Sequence, residues 1–265
     1  DGDTVWNPGW QPTKTELDSY ECRHGIGYSR FTSSKNGVKA SVLSFVPLND
    51  NCEISQLTLT NGSSEDKKLS VFSYVEWCLW NADDDMKNFQ RNLSTGEVEV
   101  QDSTIYHKTE YRERRNHYAI YSVNTKIDGF DTSRDAFLGA YRGADSPEAI
   151  ENGKCTNSMA SGWSPIASHQ INVDLTAGES KTFIFVLGYI ENPEDEKWES
   201  YGVINKTRAK EMLAKYQTDT QVEDAFAALQ AYWKQLLARY TVASADEKVN
   251  RMVNTWNQYQ CMVTF

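Results

Sequence analysis

The order of apolar and polar residues predicts β-structure from residue 1 to about residue 200, because strand-like runs there are regularly spaced and separated by turn signals. Residues 23–32 and 37–47 flank Asn36-Gly37, a dipeptide that favours a tight hairpin turn. Residues 53–60 meet residues 67–80 across NGSSEDKK, another cluster of turn residues, and a late hairpin is predicted from 169–175 and 181–189. Further strands are predicted at 96–101, 104–109, 117–124 and 137–141.

The predicted strand at 67–80 carries apolar side chains on both of its faces. Leu69, Val71 and Val75 fall on one face, whereas Phe72 and Tyr74 fall on the other. A strand with two apolar faces lies inside a sandwich or beneath a second layer. Strands at regular spacing, with few helical segments between them, favour an antiparallel sandwich over alternating strand and helix units. The predicted fold class is therefore mainly β.

The periodicity becomes helical after the acidic stretch 191–200, ENPEDEKWES, which marks the predicted edge of the sandwich domain. A short helix is predicted at 203–216, and a longer one at 220–240 with Thr218 or Asp219 as its cap. A third helix is predicted at 244–265, where Ser244 and Glu247 form a capping-box pattern. The expected domains are a β-sandwich over 1–200, a helical linker over 201–243 and a further helical unit over 244–265.

The segment 77–95, WCLWNADDDMKNFQRNLST, joins two tryptophans to a dense set of polar side chains. Sugars are bound by such mixtures, since their C–H faces stack on aromatic rings and their hydroxyl groups need paired donors and acceptors. Asn88, Gln90 and Arg91 are the candidate sugar-binding residues. The alternative is that Trp77 and Trp80 are core residues and that the three aspartates at 83–85 form a solvated turn.

Charge and cysteine usage exclude several classes of protein. The net charge of −10 argues against a nucleic-acid-binding protein, because phosphate binding needs clustered lysine and arginine. None of the four histidines lies three to five residues from any of the five cysteines, and no C-x-x-C pair occurs. We therefore expect neither a metal site nor a disulfide framework, and a cytoplasmic location.

The hydropathy of the chain and its two ends indicate whether it spans a membrane and whether it is part of a longer protein. No apolar run reaches the roughly 18 residues that a membrane helix needs, so no membrane partner is expected. The chain opens with the polar stretch DGDTVWNPGW, without a starting methionine, and it ends inside an apolar pattern. We expect it to be a piece of a longer protein.

Motifs of other enzyme classes do not occur in the sequence. It contains no G-x-G-x-x-G or P-loop for nucleotides and no G-x-S-x-G elbow of a serine hydrolase. Inverting glycosidic chemistry needs a carboxylic acid that protonates the leaving oxygen, and none of the 37 acidic residues stands out by its spacing. Glu76, between Val75 and Trp77, is interpreted as a hydrogen-bonded structural residue.

Seven long segments together resemble the cellobiose phosphorylases of glycoside hydrolase family 94. They are DGDTVWNPGWQP, LDSYECRHGIGYSRF, WCLWNADDDMKNFQRNLSTGEVE, IYHKTEYRERRNHYA, SGWSPIASH, DEKWESYGVINKTRAKEM and RMVNTWNQYQCMVTF. The resemblance covers nearly the whole chain. It implies an antiparallel β-supersandwich of the galactose-mutarotase type, a helical linker, an (α/α)6 barrel and a C-terminal jelly roll. The present chain would correspond to most of the sandwich, the linker and the first barrel helix at 244–265, without the rest of the barrel.

The resemblance implies reversible phosphorolysis of cellobiose to α-glucose 1-phosphate and glucose, with inversion. The general acid, an aspartate of the barrel, would lie beyond Phe265, so no catalytic residue is expected in this chain. Inorganic phosphate would be a co-substrate, and no cofactor is expected. Arg91 matches the family's sugar-contacting arginine, with Gln90 and Asn88 beside it, and its rigid donor fork suits hydroxyl oxygens. The family is homodimeric, so a second copy and the barrel portion of the same protein are the expected protein partners.

Two other functions compete with this interpretation. A non-catalytic carbohydrate-binding β-sandwich module would account for the aromatic and polar segment, but it would not need three amphipathic helices. A stand-alone mutarotase-like enzyme would need its own acid–base pair in a cleft, and the sequence indicates none.

Overall fold

The computed structural model describes residues 4–77, 96–109, 116–162 and 164–264. Within these ranges the chain forms fifteen strands. They are β1 (Ser19–Gly25), β2 (Tyr28–Lys35), β3 (Val38–Phe45), β4 (Cys52–Asn61), β5 (Lys67–Phe72), β6 (Val75–Glu76), β7 (Gly96–Gln101), β8 (Thr104–Thr109), β9 (His117–Val123), β10 (Gly129–Ser133), β11 (Ser161–Gly162), β12 (Pro165–Leu175), β13 (Ser180–Glu191), β14 (Trp198–Ser200) and β15 (Val203–Ile204).

Two antiparallel sheets pack face to face, as the apolar pattern predicts. The large sheet has the order β1-β2-β3-β4-β13-β9-β8-β7-β11 among the described residues. The small sheet has the order β10-β12-β5, and β6 also pairs with β12. Strands β14 and β15 form a separate short ribbon. The predicted mainly β sandwich is therefore confirmed.

The core between the two sheets is made by alternate residues of their facing strands. Ile105 of β8, Val123 of β9 and Phe185 of β13 face Ile171 and Leu175 of β12. The strand β9 is buried along its whole length, because it lies at the centre of the large sheet with layers on both sides. The small sheet thus covers the middle of one face of the large sheet.

Helices cover the outer faces of both sheets. The described helices are α1 (Arg134–Leu138), α2 (Glu148–Glu151), α3 (Thr207–Leu213), α4 (Asp219–Leu237), α5 (Glu247–Arg251) and α6 (Gln258–Thr264), with a π-helical stretch Met252–Asn257 between the last two. Thr218 caps α4 in a reciprocal capping box with Gln221, which confirms the predicted cap. Phe226 of α4 packs against Tyr28 and Phe45 of the large sheet, with ring centroids 5.0 and 5.3 Å away.

The two-faced strand behaves as its pattern predicts. Leu69, Val71 and Val75 pack into the core between the sheets. Phe72 and Tyr74 pack on the other side, in a separate cluster that contains Phe137 and Leu138 of α1 and Ala149 of α2. This part of the chain therefore needs a layer on each side, because either face alone would leave apolar surface in water.

Two predicted strand pairings are wrong. Strand β4 pairs with β3 and β13 in the large sheet, whereas β5 pairs with β12 in the small one. Strands β12 and β13 are likewise in different sheets, so the polar runs after β4 and β12 are crossovers between layers. The buried side chain of Asn61 contacts both crossovers, since its Nδ2 donates to the carbonyls of Glu65 at 2.7 Å and of Thr176 at 3.2 Å.

Several predicted elements also differ from the structure. The helix predicted at 203–216 begins only at Thr207, because Val203–Ile204 forms β15. Residues 23–32 are not one strand, because the chain turns at Ile26-Gly27 between β1 and β2, with Gly27 at φ 79°. The predicted strand at 137–141 is not formed, because Phe137 and Leu138 are the last two residues of α1 and are both buried, and residues 139–141 follow the helix. The cap of α5 is Asp246 rather than Ser244, because the Asp246 carboxylate accepts from the N–H of Lys248 at 2.8 Å.

Candidate functional site

The predicted sugar-contacting residues Asn88, Gln90 and Arg91 lie outside the described residues. The structure does place both ends of the segment that contains them. Trp77 follows β6 of the small sheet, and Gly96 begins β7 near the edge of the large sheet. Gly96 pairs with Thr109 of β8 on one side and with Gly162 of β11 on the other.

One imidazole, that of His107, contacts both ends of this segment. Its ring lies 5.4 Å from the Trp77 ring, measured between centroids, at an angle of 39°. On the other side it lies against Gly96 so closely that a Cβ there would be 2.5 Å from Nε2. Glycine at 96 is therefore required by the position of His107, and His107 joins the two sheets where the segment begins and ends.

The side chain of His107 is buried where it contacts Trp77 and Gly96. Its side chain is 3% exposed, and its Nδ1 has no hydrogen-bond partner among the described residues. Burial lowers the pKa of His107 to about 4, because a charged imidazolium would lose its hydration there. The ring is consequently neutral at pH 7 and contributes packing rather than charge at this end of the sandwich.

On the opposite face of the same strands, Glu99 is paired with two buried lysines. Lys108 Nζ lies 3.0 Å from Glu99 Oε1 and donates to the Gly202 carbonyl at 2.7 Å, and Lys206 Nζ contacts Glu99 Oε2. Burial alone would raise the pKa of Glu99, but hydrogen bonds from Lys206, from the Ile204 N–H and from Lys108 lower it overall. Glu99 is thus kept ionised, which makes it an ion-pair partner that links β7 to β15 and is unsuitable as a general acid.

Glu76 is hydrogen-bonded, as its position in an apolar strand predicts. Its Oε1 accepts from Arg134 Nε at 2.9 Å and from the Tyr74 hydroxyl at 2.6 Å. The carboxylate therefore connects β6 to α1 at the surface of the small sheet. This geometry explains how a charged residue is tolerated beside Val75 and Trp77.

Comparison with known families identifies the chain. Residues 1–219 match the supersandwich domain of glycosyl hydrolase 94, and residues 232–265 match the catalytic domain of the glycosyl hydrolase 94 superfamily. The chain belongs to glycosyl hydrolase family 94. The first match covers both sheets and α3, and it ends at the start of α4. The resemblance seen in the sequence is thereby confirmed at the level of the family, whereas the domain boundaries at 200 and 243 stay a prediction.

Several proteins similar to this chain are phosphorylases by name. The chain is 30% identical to an N,N'-diacetylchitobiose phosphorylase of Vibrio furnissii, covering 96% of this chain and 30% of that protein. It is 30% identical to a protein of the same name from Vibrio proteolyticus, covering 98% and 31%. It is 29% identical to a solabiose phosphorylase of Paenibacillus borealis, covering 97% and 32%. The chain thus spans about a third of the length of these relatives.

The described part of this family 94 chain includes one apolar cavity of about 600 Å³. It lies between the large sheet and β5, beneath the N-terminal stretch that contains Trp6 and Pro8. Its lining, taken from the described residues, includes no aspartate, glutamate or histidine. Lys68 and Tyr74 are the titratable side chains in this lining.

The described residues include no group of three or more histidine, cysteine, aspartate or glutamate side chains that could hold a metal ion. No helix in the described ranges is both long and apolar enough to cross a membrane.

Sequence reasoning missed His107, Gly96 and the ion pairs of Glu99. A signal for His107 was present, because it follows Ile105 by two residues and so shares the inward face of a predicted strand. The contact with Gly96 depends on strand pairing, and the contact between Glu99 and Lys206 joins residues more than a hundred positions apart. Neither pairing has a local pattern that predicts it.

Proposed function

We propose that this chain is the N-terminal part of an inverting glycoside phosphorylase that converts cellobiose and phosphate to α-glucose 1-phosphate and glucose. The observation that carries the proposal is the pair of family 94 matches, which run from the supersandwich into the catalytic domain. The phosphorylase names of the relatives support the reaction class. Cellobiose, as the particular substrate, rests on the sequence segments quoted above.

The role proposed for this chain is to contact the acceptor sugar through Arg91, with Gln90 and Asn88 beside it. An arginine suits this role because its planar donor fork can bond two neighbouring hydroxyl oxygens at once. The buried packing of Trp77 and Gly96 on His107 supports the role, since a segment whose two ends are fixed loses less entropy when it binds.

The remaining parts of the proposal concern partners and location. The general acid and the phosphate site belong to the catalytic domain, and inorganic phosphate serves as co-substrate without a cofactor. The protein acts as a homodimer in the cytoplasm, with the sandwich forming part of the dimer surface. These statements rest on the family resemblance and on the free thiols Cys22, Cys52, Cys155 and Cys261, which suit a reducing compartment.

The test measures phosphate-dependent turnover by the full-length protein. Cellobiose, N,N'-diacetylchitobiose and solabiose are each incubated with and without phosphate, and the sugar 1-phosphate and the free sugar that each disaccharide would release are quantified. We expect sugar release to require phosphate and kcat/KM to be highest for cellobiose. Preference for either other disaccharide would refute the cellobiose assignment, and phosphate-independent cleavage would refute the phosphorylase assignment.

A further inference from the structure

The β1–β2 hairpin brings a cysteine, a histidine and a serine together on one face. Cys22 and His24 are two residues apart on β1, so their side chains point to the same side of the strand. The antiparallel register places Ser29 of β2 opposite His24 and places Phe31 opposite Cys22. Among the described residues this hairpin forms one end of the large sheet, away from Glu99 and His107 near the other end.

The three polar side chains form a continuous line of contacts. Cys22 Sγ lies 3.1 Å from His24 Nε2, and His24 Nδ1 lies 2.8 Å from Ser29 Oγ. The rings of His24 and Phe31 make an edge-to-face contact, with their centroids 6.2 Å apart. If Nδ1–H donates to Ser29, the lone pair of Nε2 faces the thiol and can accept its proton. A nucleophile, a base and a group that orients the base are therefore all in contact.

The other described cysteines provide a comparison within the same protein. Burial raises the pKa of Cys52 and of Cys155 to about 12, so both stay protonated and shielded at pH 7. Cys261 is exposed on α6. Cys22 is half-buried, and the His24 side chain beside it is exposed. Of these four cysteines, Cys22 combines access to solvent with a hydrogen bond to a histidine.

We propose that Cys22 is a nucleophilic thiol activated by His24 and that it exchanges with low-molecular-weight disulfides. In this reaction His24 Nε2 takes the proton of the Cys22 thiol, and the thiolate sulfur attacks one sulfur of the disulfide. A new S–S bond forms at Cys22 while the old S–S bond breaks. The departing thiolate takes the proton from His24, so one disulfide and one thiol give a mixed disulfide and one thiol. The hairpin edge is thereby a modification site, separate from the phosphorylase function.

The test uses the full-length protein and oxidised glutathione as the disulfide. Short incubations at pH 7 are quenched with acid, and mass spectrometry of peptides gives the rate of mixed-disulfide formation at each cysteine. We expect Cys22 to react on the order of tenfold faster than Cys261, because Cys22 has a histidine nitrogen 3.1 Å away that can take its proton during the attack. We expect His24→Phe to bring Cys22 down to the rate of Cys261, since phenylalanine keeps a ring against Phe31 but cannot accept a proton.

Ser29→Ala and Ser19→Ala form a matched pair on the same hairpin. Ser29→Ala should slow Cys22 because it removes the group that orients His24, whereas Ser19→Ala should not, since Ser19 Oγ contacts Ser34 Oγ at 2.6 Å instead. Modification of Cys52 or Cys155 in His24→Phe would show that this variant is unfolded. In that case the rate at which Cys22 reacts in Ser29→Ala is the test of the proposal. The inference is overturned if Cys22 reacts no faster than Cys261, or if neither His24→Phe nor Ser29→Ala slows it in a folded protein.

Discussion

The substitution Gly96→Ala should destabilise the sandwich through one contact, that with His107. The new Cβ would lie 2.5 Å from His107 Nε2 and 2.9 Å from Cε1, whereas ordinary contacts begin near 3.4 Å. Retreat of the ring is opposed because His107 is 3% exposed and packs on Trp77. Inserting a methyl group into a site of this kind costs about 1–3 kcal/mol of unfolding free energy.

The origin of the cost can be isolated with a double-mutant cycle. His107→Ala alone should cost about 2 kcal/mol or more, because it leaves a cavity beside Trp77. In that background the ring is gone, so Gly96→Ala should be neutral or stabilising by about 0.5 kcal/mol. The coupling free energy between the two positions should therefore be about 1–3 kcal/mol.

Urea unfolding of the chain, followed by far-ultraviolet circular dichroism, measures all four corners of the cycle, with the m-value as a check on two-state behaviour. Gly62→Ala is the matched control, because its Cβ would meet its nearest atom at 3.4 Å. It should change stability by less than about 0.5 kcal/mol and add independently to His107→Ala. An equal cost of Gly96→Ala in both backgrounds would show that the backbone, and not His107, requires glycine.

Three other predictions follow from the structure and the proposed function. Because burial lowers the pKa of His107 to about 4 and of His169 to about 3, both bind protons more readily when unfolded. The unfolding free energy should therefore be undiminished above about pH 6.5 and fall on acidification towards pH 4, by about 1.4 kcal/mol per pH unit for each histidine. Urea titrations across this pH range measure the dependence. His169→Phe should reduce the slope of unfolding free energy against pH by the contribution of one histidine, about 1.4 kcal/mol per pH unit. In the full-length protein, Arg91→Ala should lower kcat/KM for the acceptor sugar by about tenfold to a hundredfold, with partial rescue by Arg91→Lys. An earlier thermal transition with unchanged acceptor kinetics would instead make Arg91 a structural residue. The 265-residue chain alone should release no glucose 1-phosphate from cellobiose and phosphate, since the proposed general acid is in the catalytic domain, and turnover near that of the full-length enzyme would contradict this.

The positions of most strands could be predicted from the sequence, but the pairing of several could not. Alternation at Leu69, Phe72 and Val75 correctly predicts two apolar faces, because burial of each face depends on residues close together in the chain. A turn sequence such as 176–179 shows only that the chain reverses. Whether the next strand pairs in the same sheet or enters the other is decided by distant contacts, including those of Asn61.

The sequence predicts the chemical type of the candidate site but not its three-dimensional contacts. The mixture of aromatic and polar residues in 77–95 indicates sugar binding, and Arg91 lies outside the described residues, so its role stays a prediction. His107 could not be assigned from the sequence, because its two contacts come from residues 30 and 11 positions earlier, Trp77 and Gly96. A histidine in an alternating strand predicts burial without showing what it touches.

The pairing of β5 with β12 has a consequence for synthesis of the protein. Ser70 and Asn172, which are hydrogen-bonded across these strands at 2.9 Å, are 102 residues apart in the chain. At about 5–20 residues per second, roughly 5 to 20 seconds pass between the emergence of β5 from the ribosome and the emergence of its partner. During that interval both apolar faces of β5 are available to other nascent chains. Lys67 and Lys68 at its start place positive charge beside this aggregation-prone strand, a placement that discourages pairing with the wrong chain.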